Sequence, residues 1–127
     1  MNKPKQKIRR DVQIELRFME SLAHRMPADA DILKVLSDLY TKVGRCMEGL
    51  QIDLELSRIC ADEPLVWYNL ACSYALMKQP DDAFAALSRA VDLGYRDFVW
   101  MGQDDDLSSI RSDRRFVTLL KRMCRKL

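Results

Sequence analysis

Large apolar residues recur along this chain at spacings of three and four and almost never alternate with polar ones. In the stretch "PLVWYNLACSYALMKQPDDAFAALSRAVDLG", residues 64–94, Trp67, Leu70, Ala71 and Tyr74 share one helical face, and Ala83, Leu87 and Ala90 repeat the device. Upstream, Val12, Leu16, Met19, Ala23 and Met26 form a stripe that stops at Pro27; near the end, Phe116, Leu119, Leu120 and Met123 form another. The spacing predicts an all-helical chain. Its breaks are marked as well. Gly44 lies between two helical patterns, Pro80 with Asp81 and Asp82 suits a first helical turn, and Gly94 suits a left-handed closing residue.

The pattern repeats. Offsetting the sequence by 34 residues puts Leu36 on Leu70 and Tyr40 on Tyr74, and matches Leu33 with Trp67, Leu50 with Phe84 and Ile59 with Leu93. Small residues fall under small ones: Ser37 under Ala71 and Gly49 under Ala83. Two helices approach closely only where neither carries bulk, so the predicted unit is a hairpin of two helices packed along its small residues.

Trp67, Leu70, Ala71, Tyr74, Ala83, Leu87 and Ala90 resemble the tetratricopeptide (TPR) pattern, W-x2-L-G-x2-Y followed by A-x3-F and a later Ala. Leu33, Leu36, Ser37, Tyr40, Gly49 and Leu56 carry the resemblance in the preceding repeat, where Asp53 stands at a place the family usually gives to a large aromatic. The resemblance implies an α-solenoid, a right-handed superhelix of antiparallel helical hairpins. It implies one domain over 1–127: an N-terminal half-repeat helix at 11–27, repeats at 30–63 and 64–97, and a closing segment at 98–127. That last segment, "DDDLSSIRSDRRFVTLLKRM", is similar to one that often follows TPR arrays in bacterial proteins. A polar-backed helix at each end covers the apolar faces that a short stack leaves open.

Composition changes this picture little. Of 127 residues, 48% are hydrophobic and 31% charged, enough to bury one core. The longest nearly apolar run, residues 65–77, is too short for a bilayer span, and the basic N-terminus lacks the apolar segment of a secretory signal, so a cytoplasmic location is expected. Cys46, Cys60, Cys72 and Cys124 are scattered without a CxxC, as befits reduced thiols. Charge is segregated. Residues 1–10 hold five bases (Lys3, Lys5, Lys7, Arg9, Arg10) and no acid, residues 11–110 hold nine bases against eighteen acids, and residues 111–127 hold seven bases against Asp113. Basic ends suit solvated helix faces, and they also admit a nucleic-acid or anionic-membrane contact, although no aromatics interleave with the bases.

Signs of catalysis are sparse. The one histidine, His24, has no carboxylate or cysteine at ligand spacing; Cys72 and Ser73 have no nearby histidine; and the four glycines are scattered singly rather than forming a phosphate loop. Asp104, Asp105 and Asp106 lack the spacing of a calcium loop, and one of them is expected to cap a short helix starting near Leu107. The chain is read as a non-enzyme that needs no metal or cofactor.

The family's groove-facing places fall at Asp31, Lys34, Asp38 and Thr41, then at Leu65, Tyr68, Asn69, Cys72 and Ala75. Lys34 and Asn69 match two places of the clamp by which some members bind chaperone C-terminal carboxylates. Asp38 stands where that clamp needs Asn, and Val99 and Gln103 where it needs bases, so an acid would repel the ligand. What the resemblance implies instead is a protein-interaction adaptor taking an apolar peptide or amphipathic helix, with a ligand base near Asp31 and Asp38. The alternatives are an accessory acting on nucleic acid or anionic membrane through the basic ends, and a homodimer through the terminal helices.

Overall fold

The structure, a computed structural model, describes residues 3–125, with side chains from Arg9 to Arg125. It is all-helical: α1 Lys3–Arg25, α2 Ala30–Lys42, α3 Cys46–Ile59, α4 Pro64–Leu76, α5 Pro80–Asp92, α6 Phe98–Gln103, a 3-10 helix Asp105–Ile110, and α7 Arg114–Arg125. Among the described residues, no helix is long and apolar enough to cross a membrane. The chain falls into two compact units, Met1–Ile59 and Cys60–Leu127.

The 34-residue offset seen in the sequence is also the spacing of the helix starts. Ala30, Pro64 and Phe98 begin α2, α4 and α6 at that interval, and Cys46, Pro80 and Arg114 begin α3, α5 and α7 at the same interval. α2, α4 and α5 each have 13 residues, and their ends close alike. A backbone N–H past the helix returns to a carbonyl in its last turn: Arg45 to Tyr40 at 2.8 Å, Gln79 to Tyr74 at 2.9 Å and Tyr95 to Ala90 at 2.9 Å. This closure needs one left-handed residue, supplied by Gly44 at φ 78° and Gly94 at φ 115°, but in α4 by Lys78 at φ 59°.

In the first unit α1 packs on α2, which packs on α3. Leu16, Leu36, Leu39 and Tyr40 form the core cluster, with Val12, Met19, Ala23, Val43 and Ile52 against it. The helix expected from residue 11 already begins at Lys3, because the Lys, Gln and Arg residues before it are strong helix formers and Pro4 falls in the first turn, where it breaks no bond. Asp53, at the place expected for an aromatic, is buried and accepts a 2.5 Å hydrogen bond from the Ser37 hydroxyl, so a polar pair joins α2 to α3 there.

In the second unit α4 packs on α5, and the small residues Ala71, Ala83 and Ala90 are fully buried. Leu87, Met101, Leu107, Phe116, Leu119 and Met123 complete the core. The segment expected to close the stack keeps the hairpin register but breaks its first helix. α6 stops at Gln103, and Asp104 then caps the 3-10 helix, its carboxylate accepting from the Asp106 N–H at 3.0 Å. Asp104 occupies the register place that Leu36 and Leu70 hold in the preceding helices, and a carboxylate there favours a cap over a continuous helix.

Residues that the 34-residue offset superposes touch one another in this unit. The Ser109 hydroxyl donates to the Ala75 carbonyl at 3.1 Å, Arg115 reaches Asp81 at 2.8 Å, and Arg122 reaches the Ser88 hydroxyl at 2.8 Å. Arg122 also pairs with Asp92 at 2.5 Å. Two of the bases read as a solvated face of the last helix therefore tie α7 to α5.

Candidate functional site

On α2, Asp31, Lys34 and Asp38 are exposed on the side away from Leu33, Leu36 and Tyr40. The cap of this helix is Asp29, which accepts from the Ile32 N–H at 3.1 Å; Asp31 sits in the first turn, where its charge suits the exposed N–H groups. Asp38 is paired with Lys42 at 2.9 Å, one helical turn on, so its charge is partly answered within the helix. Thr41 is half-buried and its hydroxyl donates back to the Ser37 carbonyl at 3.2 Å.

On α4 the five expected surface residues divide. Leu65 and Asn69 are exposed, whereas Tyr68, Cys72 and Ala75 are buried. The expectation that these three line an open wall is corrected by a contact within the chain, because the closing segment lies over them. The Tyr68 hydroxyl donates to Asp104 Oδ2 at 2.6 Å, and the Cys72 thiol lies 3.7 Å from the same oxygen. The Tyr68 ring stacks on Tyr95, with centroids 4.4 Å apart and planes 9° from parallel. The surface left on this face of α4 is Leu65 and Asn69.

Asp104, one of the three aspartates expected to cap a short helix near Leu107, caps the 3-10 helix and is a junction as well. One oxygen caps the 3-10 helix, the other receives Tyr68 and Cys72, and its backbone carbonyl accepts from the Arg111 guanidinium at 2.5 Å. Burial, followed by the bond to Asp104, holds the Tyr68 phenol well above its ordinary range. Burial and then the Asp104 and Asp106 charges raise the Cys72 thiol too, which keeps it protonated at neutral pH and poor as a nucleophile. Asp106, half-buried beside Asp104 and Asp105, has its carboxyl raised by burial and by both neighbours.

Cys72, Asp104 and Asp106 also form a group that could hold a metal ion, their ligand atoms lying within 4.8 Å of one another. The thiol would have to lose its proton and Asp104 its present donors, so the arrangement as it stands favours a hydrogen-bonded junction. His24 is exposed. All four cysteines are free, Cys72 buried and Cys124 exposed.

Lys3, Lys5 and Lys7 lie outside the described side chains, while Arg9 and Arg10 are exposed. On α7, Arg114, Lys121 and Arg125 face solvent, and Arg115 and Arg122 are held by α5.

No family model matches the chain. A curated relative, a chloroplastic protein from Arabidopsis thaliana, is 25% identical over 118 residues, covering 88% of this chain and 33% of that protein. The chain therefore spans about a third of the length of the curated relative it matches, and what the likeness reports is a similar stretch of sequence within a longer protein.

Proposed function

We propose that this chain is a non-catalytic, TPR-like interaction module of bacterial type, an adaptor working in the cytoplasm that holds a peptide or helix of another protein. Support for the repeat reading comes from the helix starts at 30, 64 and 98 and at 46, 80 and 114, and from the contacts between superposed residues in the second unit. The observation that carries the interaction reading is the exposed set Asp31, Lys34 and Asp38 on α2, a ridge of mixed charge that the core does not use. Leu65 and Asn69 offer an apolar and an amide contact on α4.

The test is affinity capture with the intact chain and with two surface variants, Lys34→Glu and the pair Leu65→Glu with Asn69→Ala, each verified for helicity by circular dichroism. Loss of a captured protein by at least one of the variants is the expected result, and it assigns that protein to the face of α2 or of α4. If both retain every partner, these faces are not the working surface. The second reading, a phosphate-rich partner held by the solvent-facing Arg114, Lys121 and Arg125 on α7, predicts affinity for nucleic acid or anionic vesicles that falls steeply with salt.

A further inference from the structure

α1 is amphipathic twice over. The stripe of Val12, Leu16, Met19 and Ala23 faces the core of its unit. On the opposite face Ile14 and Phe18, one turn apart, are 59% and 62% exposed and form one apolar pair. Arg10 and Arg17 line one edge of this second stripe and Arg25 its end, all exposed and none in an ion pair among the described residues. Asp11 and Glu15 line the other edge. The face is an apolar ridge with one positive edge, one acidic edge and a positive end.

The complementary surface is in the second unit. Val99 and Trp100 on α6 are 59% and 51% exposed. From Asp97 to Ile110 the chain carries Asp97, Asp104, Asp105 and Asp106 and no base, with Asp97 and Asp105 exposed near the two apolar side chains in sequence. The Trp100 backbone N–H is bonded to the Asp97 carboxylate at 3.1 Å, so the indole is presented by a fixed backbone. An exposed indole with an acidic border suits an arginine-edged apolar ridge, through burial, ion pairing and the stacking of guanidinium on the ring.

We propose that the chain associates with itself head to tail, the Ile14 and Phe18 face of α1 in one copy docking on the Val99 and Trp100 face of α6 in the next. Charge complementarity selects a second copy as the occupant, since three arginines edge and end the first face and the exposed Asp97 and Asp105 lie beside the second in sequence, with no base between them. It also selects the heterologous arrangement. Pairing α1 with α1 antiparallel would set the arginine edge against itself, pairing it parallel would set Arg25, on the same face as Ile14 and Phe18, against its own copy, and pairing α6 with α6 would set aspartate against aspartate. The head-to-tail contact avoids all three, leaves one free face at each end and can extend. Two large apolar side chains on each side make the contact small and reversible.

Sedimentation equilibrium over a concentration series, from about 10 μM to about 1 mM, where weak contacts of this size populate, tests the proposal. The wild type is expected to rise in weight-average mass with concentration, and to rise less in high salt. Phe18→Glu and Trp100→Glu should each remain at the 14.8 kDa monomer. Mixed in equal amounts, the two variants still offer one intact face of each kind, so they should form a single 1:1 dimer that does not grow. Ile14→Glu and Val99→Glu serve as second variants for the two faces should either first variant lose helicity. A wild type that stays monomeric throughout, a face variant that still associates as the wild type does, or a mixture that stays monomeric would each overturn the proposal.

Discussion

Asp104 shows what one residue settles in this chain. Its carboxylate meets three demands at once: it stops α6, starts the 3-10 helix, and receives the phenol of Tyr68, which would otherwise be a buried donor without an acceptor. Asp104→Ala removes the cap and orphans Tyr68 together, and is expected to cost about 2–4 kcal/mol. Tyr68→Phe removes only one donor from a carboxylate that keeps the Asp106 N–H, and is expected to cost about 1–3 kcal/mol. Urea denaturation of both variants measures the difference. Equal costs would mean that the cap contributes nothing and that the phenol alone matters. The Ser37 and Asp53 pair in the other unit makes the same point, since a buried acid at a place suited to an aromatic is tolerable because its donor stands opposite on α2.

Among the helices, the left-handed closing residue invites a direct comparison. Lys78 does for α4 what Gly44 and Gly94 do for α2 and α5, at the steric disadvantage a side chain carries in that conformation. Lys78→Gly is expected to stabilise the chain by about 0.5–1 kcal/mol, after allowance for the looser unfolded chain. Gly49→Ala should gain about the same from helix propensity, for an added Cβ would sit 3.6 Å from Thr41 Oγ1 and 3.7 Å from Tyr40 Cβ, ordinary contact distances. The denaturation midpoint at unchanged slope checks both, and a loss of stability in either would contradict it. Helix starts at 30 and 64 were legible in the sequence because apolar spacing and Pro64 mark them. The N-terminal extent of α1 was not, since a polar segment of good helix formers carries no apolar stripe to show where it begins. The cap near Leu107 was legible in the run of three aspartates, but which of them serves was not, because a cap is settled by which backbone N–H the carboxylate finds. Of the surface set, Asp31, Lys34, Asp38, Leu65 and Asn69 came out exposed, while Tyr68, Cys72 and Ala75 were covered by a segment about 30 residues further along, which local periodicity cannot place. The Asp81 to Arg115 and Ser88 to Arg122 contacts are legible in the sequence too, since the 34-residue offset superposes these polar residues as it does the apolar ones.

At the scale of the molecule, each compact unit contains a buried phenol beside an acid, and this couples stability to alkaline pH in both. Burial, then the hydrogen bond to Glu20 Oε2 at 2.6 Å, pushes Tyr40 in the first unit up to about 12. Burial likewise raises Tyr95 in the second unit to about 12 and Tyr68 further still. A phenol in the unfolded chain ionises near its ordinary value of about 10, so the folded chain holds these protons more tightly than the unfolded one. The associated stability is fully present below about pH 10 and is lost as pH rises from there through the folded-state values. Each such phenol contributes a slope of about 1.4 kcal/mol per pH unit within that window. Urea midpoints followed by circular dichroism from about pH 8 to about pH 11 should therefore fall, slightly at first as pH passes the ordinary thiol value of about 8.5, because burial raises Cys72, and more steeply above about pH 10. Tyr40→Phe and Tyr68→Phe are each expected to be less stable than the wild type at about pH 8 and to lose stability less steeply above about pH 10, because one linked proton has been removed. Deprotonation of lysines acts on wild type and variants alike, so the difference between their slopes isolates the phenol. Parallel pH profiles would show that these hydroxyls titrate as they do in water, and that the contacts to Glu20 and Asp104 do not hold their protons.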